Sequence, residues 1–142
     1  MTTKDYLNQI SRLNRMINNK LVEIQQLKEM SCSISAITNS ERVQTSLSPD
    51  KIGSNIAKID EMERNIDSMI DEYVDKKNLI ISQIDSIENE TYYNILFAKY
   101  VERKTFEKIA DEMTYSWRQI VRLHGRALQE FERLYGDAYK MA

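Results

Sequence analysis

Apolar residues recur along this chain at steps of three and four, the spacing of one helix face. Between Thr3 and Met30 they are Leu7, Ile10, Leu13, Ile17, Leu21, Ile24 and Leu27, a single stripe on a long helix. The stripe is too narrow for a helix buried all round, so it needs a helical partner. From Ser31 to Ser48 the period vanishes and Ser and Thr dominate. Residues 31–48 are therefore expected as an exposed connector, or as a segment that orders on a partner. Ser48-Pro49 reopens a helix, with Ser as N-cap and Pro at the first helical position. A heptad register follows. One seam position holds Ile52, Ile59, Ile66, Tyr73, Ile80 and Ile87, and the other holds Ile56, Glu63, Ile70, Lys77 and Ile84. Only Glu63 and Lys77 interrupt it, and polar seam residues often set register. The pattern predicts a coiled-coil helix about 55–60 Å long. An antiparallel hairpin of the two long helices is the natural arrangement. Because the second helix outlasts the first, part of the isoleucine seam is expected to stay open and to form a dimer.

Glu88-Asn89-Glu90-Thr91 is a polar joint, after which Tyr92, Tyr93, Ile95, Leu96, Ala98 and Tyr100 start a further helix. Thr105 is an N-cap for the next, where Phe106, Ile109, Ala110 and Met113 repeat at helical spacing. A break follows Met113. Ser116 is another N-cap, and Gln119 three residues on completes a capping box. Beyond it Ile120, Leu123, Ala127, Leu128, Phe131 and Leu134 form one apolar face, opposite Arg118, Gln119, Arg122 and Arg126. No acid occurs between Ser116 and Leu128. A short helix, a tight turn and a second helix with a basic outer face is the layout of a helix-turn-helix DNA reader. The expected fold is all-α: a long antiparallel hairpin over 1–88, a three-helix unit over 91–135 and a fraying tail over 136–142.

Charge sharpens this picture. From Thr91 onward nine Lys and Arg stand against seven Asp and Glu; before it the numbers are eleven and fifteen. A positive face on a mildly acidic chain points to a local duplex-binding site and not to bulk polycation behaviour. The acids of the second long helix, from Asp60 to Glu88, read as a solvated face that cannot lie along DNA. One Cys and one His exclude an internal disulfide and a His/Cys zinc centre, and no metal or cofactor is expected. MTTKDYLNQI lacks the apolar core of a signal peptide and no run approaches membrane length, so the chain reads as cytoplasmic with no membrane partner.

The stretch Leu96, Lys99-Tyr100, Thr105, Ile109-Ala110, Met113, Ser116, Ile120, Leu123 and Arg126-Ala127-Leu128 resembles region 4 of bacterial sigma factors, over some 40 of the 142 residues. The whole chain is similar to small phage and prophage proteins of Gram-positive bacteria grouped with ArpU-like late transcription regulators. The segments that prompt this comparison are YLNQISRLNRMINNKLVEI, SPDKIGSNIAKIDEMERNID and SWRQIVRLHGRAL. The resemblance implies transcriptional control and, for a sigma-like unit, RNA polymerase as a partner. Where such sequences often carry Gly between the first two helices, this chain has Arg103. A left-handed residue there costs Arg roughly 1 kcal/mol, so a local change of turn is expected.

In this geometry the start of the last helix enters the major groove. Trp117, Arg118, Gln119, Val121 and Arg122 then face bases, with Arg126 on phosphate and Lys104 and Thr105 at the backbone. Two placements are open to Trp117: against a thymine methyl, or packed back on Tyr93 or Phe106. Val121 is equally a methyl contact or a core-edge residue. His124 reads as structural, and no catalytic constellation appears, so an enzyme is not expected. A double-stranded-DNA regulator is the leading expectation. A DNA-packaging adaptor and a protein-binding scaffold without base readout are the alternatives.

Overall fold

The computed structural model describes residues 1–40 and 49–140. The protein is all-α, with no strand among the described residues. Among the described residues six α-helices follow in order: α1 (Thr3–Leu7), α2 (Gln9–Ser40), α3 (Pro49–Asp85), α4 (Glu90–Leu96), α5 (Phe106–Met113) and α6 (Trp117–Lys140). The last turn after α4 widens to π-helical geometry over Phe97–Val101. The chain divides into two compact units, Met1–Leu13 with Tyr73–Ala142, and Asn14–Glu72.

The first unit holds α1, α4, α5 and α6 together with the end of α3. Its core has two parts. Ile95, Ala98, Ile109, Ala110 and Ile120 form one, flanked by Phe106, Met113 and Leu123. Tyr6, Leu7, Ile10, Ile80, Ile84, Leu96, Tyr100, Ala127 and Phe131 belong to the other, with Tyr139 beside them. Helix α6 walls both parts, since its apolar positions recur every turn along its length. Aromatic contacts close the second part: the Tyr6 and Tyr139 rings stack at 4.4 Å, and Tyr6 lies 6.0 Å from Phe131. Their hydroxyls are satisfied. Tyr6 donates to Gln83 Oε1 at 2.7 Å, and Tyr139 Oη lies 2.7 Å from Thr3 Oγ1. Short α1 is held by Thr2, whose hydroxyl accepts from the Asp5 amide.

Three expected boundaries change. The hairpin was expected to end at 88, yet Met1–Leu13 and the stretch from Tyr73 belong with the C-terminal helices. Tyr6, Leu7 and Ile10 supply apolar cover that a 45-residue three-helix core lacks. The tail expected to fray over 136–142 is helical to Lys140, with Gly136 and Tyr139 buried, because Tyr139 docks on α1. The connector expected over 31–48 is helical as far as Ser40, continuing α2. Its remainder, 41–48, with the Ser48 cap, lies outside the described residues; α3 starts at Pro49 as expected.

The second unit consists of the α2 and α3 portions between Asn14 and Glu72. Ile17 and Ile24 on α2 and Ile66 on α3 are buried. Lys28 Nζ meets Glu63 Oε1 at 3.0 Å, which brings the two helices side by side.

Candidate nucleic-acid interface

Two tight turns position the candidate surface. At the first, Arg103 takes a left-handed conformation, φ 57°, and the Lys104 amide bonds back to the Ala98 carbonyl at 2.9 Å. The altered turn expected from the lack of Gly does not occur: Arg103 adopts the left-handed geometry despite its Cβ. Thr105 then caps α5, its hydroxyl accepting from the Lys108 amide at 3.2 Å. At the second turn Thr114 is left-handed, φ 57°. The Tyr115 amide reaches the Ala110 carbonyl and the Thr114 amide the Asp111 carbonyl, a Schellman closure of α5. Ser116 and Gln119 form the capping box in both directions: Gln119 amide to Ser116 Oγ at 3.1 Å, and Ser116 amide to Gln119 Oε1 at 3.0 Å. Three residues thus separate α5 from α6, and Ile109, Ala110 and Ile120 lock the pair from inside.

That packing turns the arginine face outward. Arg118, Arg122 and Arg126 are exposed, and among the described residues none takes part in a salt bridge. Arg133 is different: it lies further along α6 and is held by Glu130 at 2.6 Å. Three free guanidiniums on successive turns make a localised positive strip. Gly125 is also exposed on α6, immediately before Arg126 and about two turns beyond Arg118, and a Cβ added there would meet nothing within 4 Å. Its lack of a side chain leaves backbone bare at the edge of the strip, where a bulky ligand could approach closely.

The remaining candidates divide. Trp117, at the start of α6, is 54% exposed, so packing on Tyr93 or Phe106 is not its principal role. Tyr115 is exposed beside it in the turn, a neighbour that sequence spacing alone did not single out. Val121 is half-buried at the core edge. Gln119 is exposed, and its carbonyl oxygen is fixed by the cap, which leaves its amide NH2 group free to donate to a ligand. Thr105 is likewise occupied by its cap. Lys104 does not present a free charge: Glu112 at 2.7 Å and Glu102 at 3.1 Å hold it, and their carboxylates raise its pKa. These pairs brace the first turn against α5. Lys99 Nζ lies 4.4 Å from the Phe106 ring centroid.

His124 is buried beneath this face. Its Nε2 lies 2.7 Å from Tyr100 Oη, and Phe106 meets its ring edge-on at 4.9 Å. Burial, and then the charges of Lys4 and Lys99, push its pKa down to about 4, so the ring is neutral at pH 7. It joins α6 to the π-helical turn. No group of His, Cys, Asp and Glu among the described residues is placed to hold a metal ion, and no described helix is long and apolar enough to cross a membrane. Compared with protein-family models, curated proteins and solved structures, the chain matches none.

Proposed function

We propose that the protein is a sequence-specific DNA-binding transcription regulator of phage or prophage type. In it, α5 and α6 act as a sigma-region-4-like helix-turn-helix and the long helices hold two copies together. One observation carries the proposal: Arg118, Arg122 and Arg126 are exposed on one side of α6, and no carboxylate of the described residues neutralises them. A basic helix that merely faced solvent would gain from acids three or four residues away, as Arg133 does with Glu130. Arg118 and Arg122 have no acid within four residues, and Glu130, four residues beyond Arg126, is held by Arg133 instead. Arg118 and Arg122, nearest the helix start, read base edges, and guanine presents two acceptors that a guanidinium spans. Arg126, two turns on from Arg118, neutralises phosphate. Trp117 contributes an apolar contact to a thymine methyl. No catalytic role is part of the proposal, and RNA polymerase is a partner only if the unit acts as its sigma counterpart does.

A salt-titrated gel shift on fragments of the source genome, with sequencing of the bound pool, tests this. Enrichment of a common site at physiological salt supports regulation. Arg118→Ala or Arg122→Ala should each weaken the enriched site by roughly 1–3 kcal/mol and relax its sequence. Arg126→Ala should weaken all duplexes alike and lower the salt slope by about one. Binding that never exceeds the non-specific level, or that survives the double arginine substitution, ends the proposal and leaves the scaffold alternative.

A further inference from the structure

The groups that α6 offers outward near its start are of one chemical kind. From Trp117 to Arg126 the exposed positions are Trp117, Arg118, Gln119, Arg122, Gly125 and Arg126. An indole N–H and a guanidinium donate hydrogen bonds and accept none, and glycine has no side chain to do either. No carboxylate occurs in this stretch. Gln119 is therefore the one exposed side chain here with an accepting oxygen. That oxygen is committed. Gln119 Oε1 accepts from the Ser116 amide at 3.0 Å, while the Gln119 amide donates to Ser116 Oγ at 3.1 Å. The pair closes over the first turn of α6 and satisfies two N–H groups that the helix itself leaves open. The cap also settles the orientation of the side-chain amide, because only its oxygen accepts from an N–H. Nε2 takes no part in the cap. A glutamine on a reading helix ordinarily spans adenine, donating to N7 and accepting from the 6-amino group. That contact needs oxygen and nitrogen both directed away from the helix, and here the oxygen is turned back onto it.

We infer that the start of α6 recognises DNA by donation alone. It reads acceptor atoms of bases, O6 and N7 of guanine and O4 of thymine, and takes no bond from the amino groups of adenine or cytosine. This rests on the duplex-binding reading above and narrows it to a class of base contact. Guanine is favoured most, since its edge carries two acceptors side by side and the arginine fork answers both. Thymine follows, with one acceptor and a methyl group. Adenine sets an amino donor beside its N7, and a face made of donors leaves that group unpaired. Gln119 fixes the restriction: turning its oxygen to an adenine gives up one of the two capping bonds of α6.

The test is selection by the full chain, at physiological salt, from a duplex library with a randomised centre, followed by base replacement within the selected site. Replacing a contacted guanine by 7-deazaguanine, which lacks N7, should weaken binding about tenfold. Replacing adenine by purine, or cytosine by 2-pyrimidinone, removes only the amino group and should change binding by less than about twofold at every position. Gln119→Glu tests the residue itself. A glutamate oxygen accepts from the Ser116 amide as the glutamine oxygen does, so the cap survives, which circular dichroism and urea unfolding check. The outward donor becomes an acceptor. Affinity for the selected site should fall about tenfold further than affinity for an unselected duplex, a ratio from which general charge repulsion cancels. A second selection with this variant should bring in a base read through its amino group, cytosine above all. A selected site that loses binding when an amino group alone is removed overturns the inference. So does 7-deazaguanine tolerated at every guanine, and so does a Gln119→Glu protein with unchanged base preference. Failure to select any sequence is a different result: it ends the duplex-regulator reading, and this inference with it.

Discussion

The two ends of α3 carry the same residue type in the same register and meet opposite fates. Ile80 and Ile84 are sealed in the core, whereas Ile56 and Ile70 face outward. The cause is cover. Near its C-terminal end α3 shares a core with Tyr6, Leu7, Phe131 and Tyr139, drawn from both termini of the chain. Between Asn14 and Glu72 the described cover is α2 alone, whose stripe shields one seam series and leaves the second. A heptad states which edge is apolar; it does not state that the same chain will supply what covers it. One end of the helix is therefore a wall of a folded unit, and the other keeps an exposed apolar edge.

Substitutions break or sharpen this contrast. The largest effect belongs to Phe131→Ala, which empties the centre of the aromatic core and should lower stability by roughly 3–5 kcal/mol, read from urea unfolding followed by circular dichroism. A loss below about 1 kcal/mol, the size expected for an exposed site, would show that the first unit is no better covered than the second.

Next comes pH. His124 is held neutral by burial, with a folded pKa of about 4 against an ordinary value of 6.5. As pH falls below that ordinary value, the unfolded chain takes a proton that the folded chain refuses. Stability is therefore complete above about pH 6.5 and should fall by roughly 2–3 kcal/mol on the way down to about pH 4. The signal of this loss is its disappearance in His124→Phe, measured over the same range.

Smaller effects come from the turns and the strip. Arg103→Gly should stabilise by roughly 0.5–1 kcal/mol, steric relief exceeding the added freedom of the unfolded chain. A destabilised variant would mean that the arginine side chain itself holds the turn. Gly125→Ala should add roughly 0.5–1 kcal/mol of stability, because space is free and Ala favours helix. Duplex affinity should fall in the same protein, and gain in both quantities would deny Gly125 a role in close approach. The least effect is expected from Ile56→Gln, within about 0.5 kcal/mol in dilute solution. A large loss there would reveal cover that the open end of α3 is not expected to have.

Much of the architecture was legible in local pattern. Helix periods located the long helices and the α5–α6 pair, and the caps at Thr105, Ser116 and Gln119 form as their residue types dictate. Those signals are short-range: a cap or a turn of helix involves residues three or four apart. The sequence also showed that Arg118, Arg122 and Arg126 share a face, with no acid between Ser116 and Leu128. It did not show that Lys104 would be claimed by Glu112, eight residues away across a turn. Nor did it show that Trp117 would be exposed, since an aromatic at a helix start suits core and surface equally. Gly125 was readable as a bare position beside the strip only after the face itself was established.

Amphipathic period and capping chemistry thus set the chain as all-helical and drew the basic side of α6, because both depend on neighbours within one or two turns. The joining of Tyr6 to Tyr139 and Phe131, and the burial of Ile80 and Ile84 where Ile56 and Ile70 stay exposed, arose from contacts between residues far apart in the chain. Such contacts depend on which apolar surfaces meet first and fit, and a single helix face carries no record of its partner.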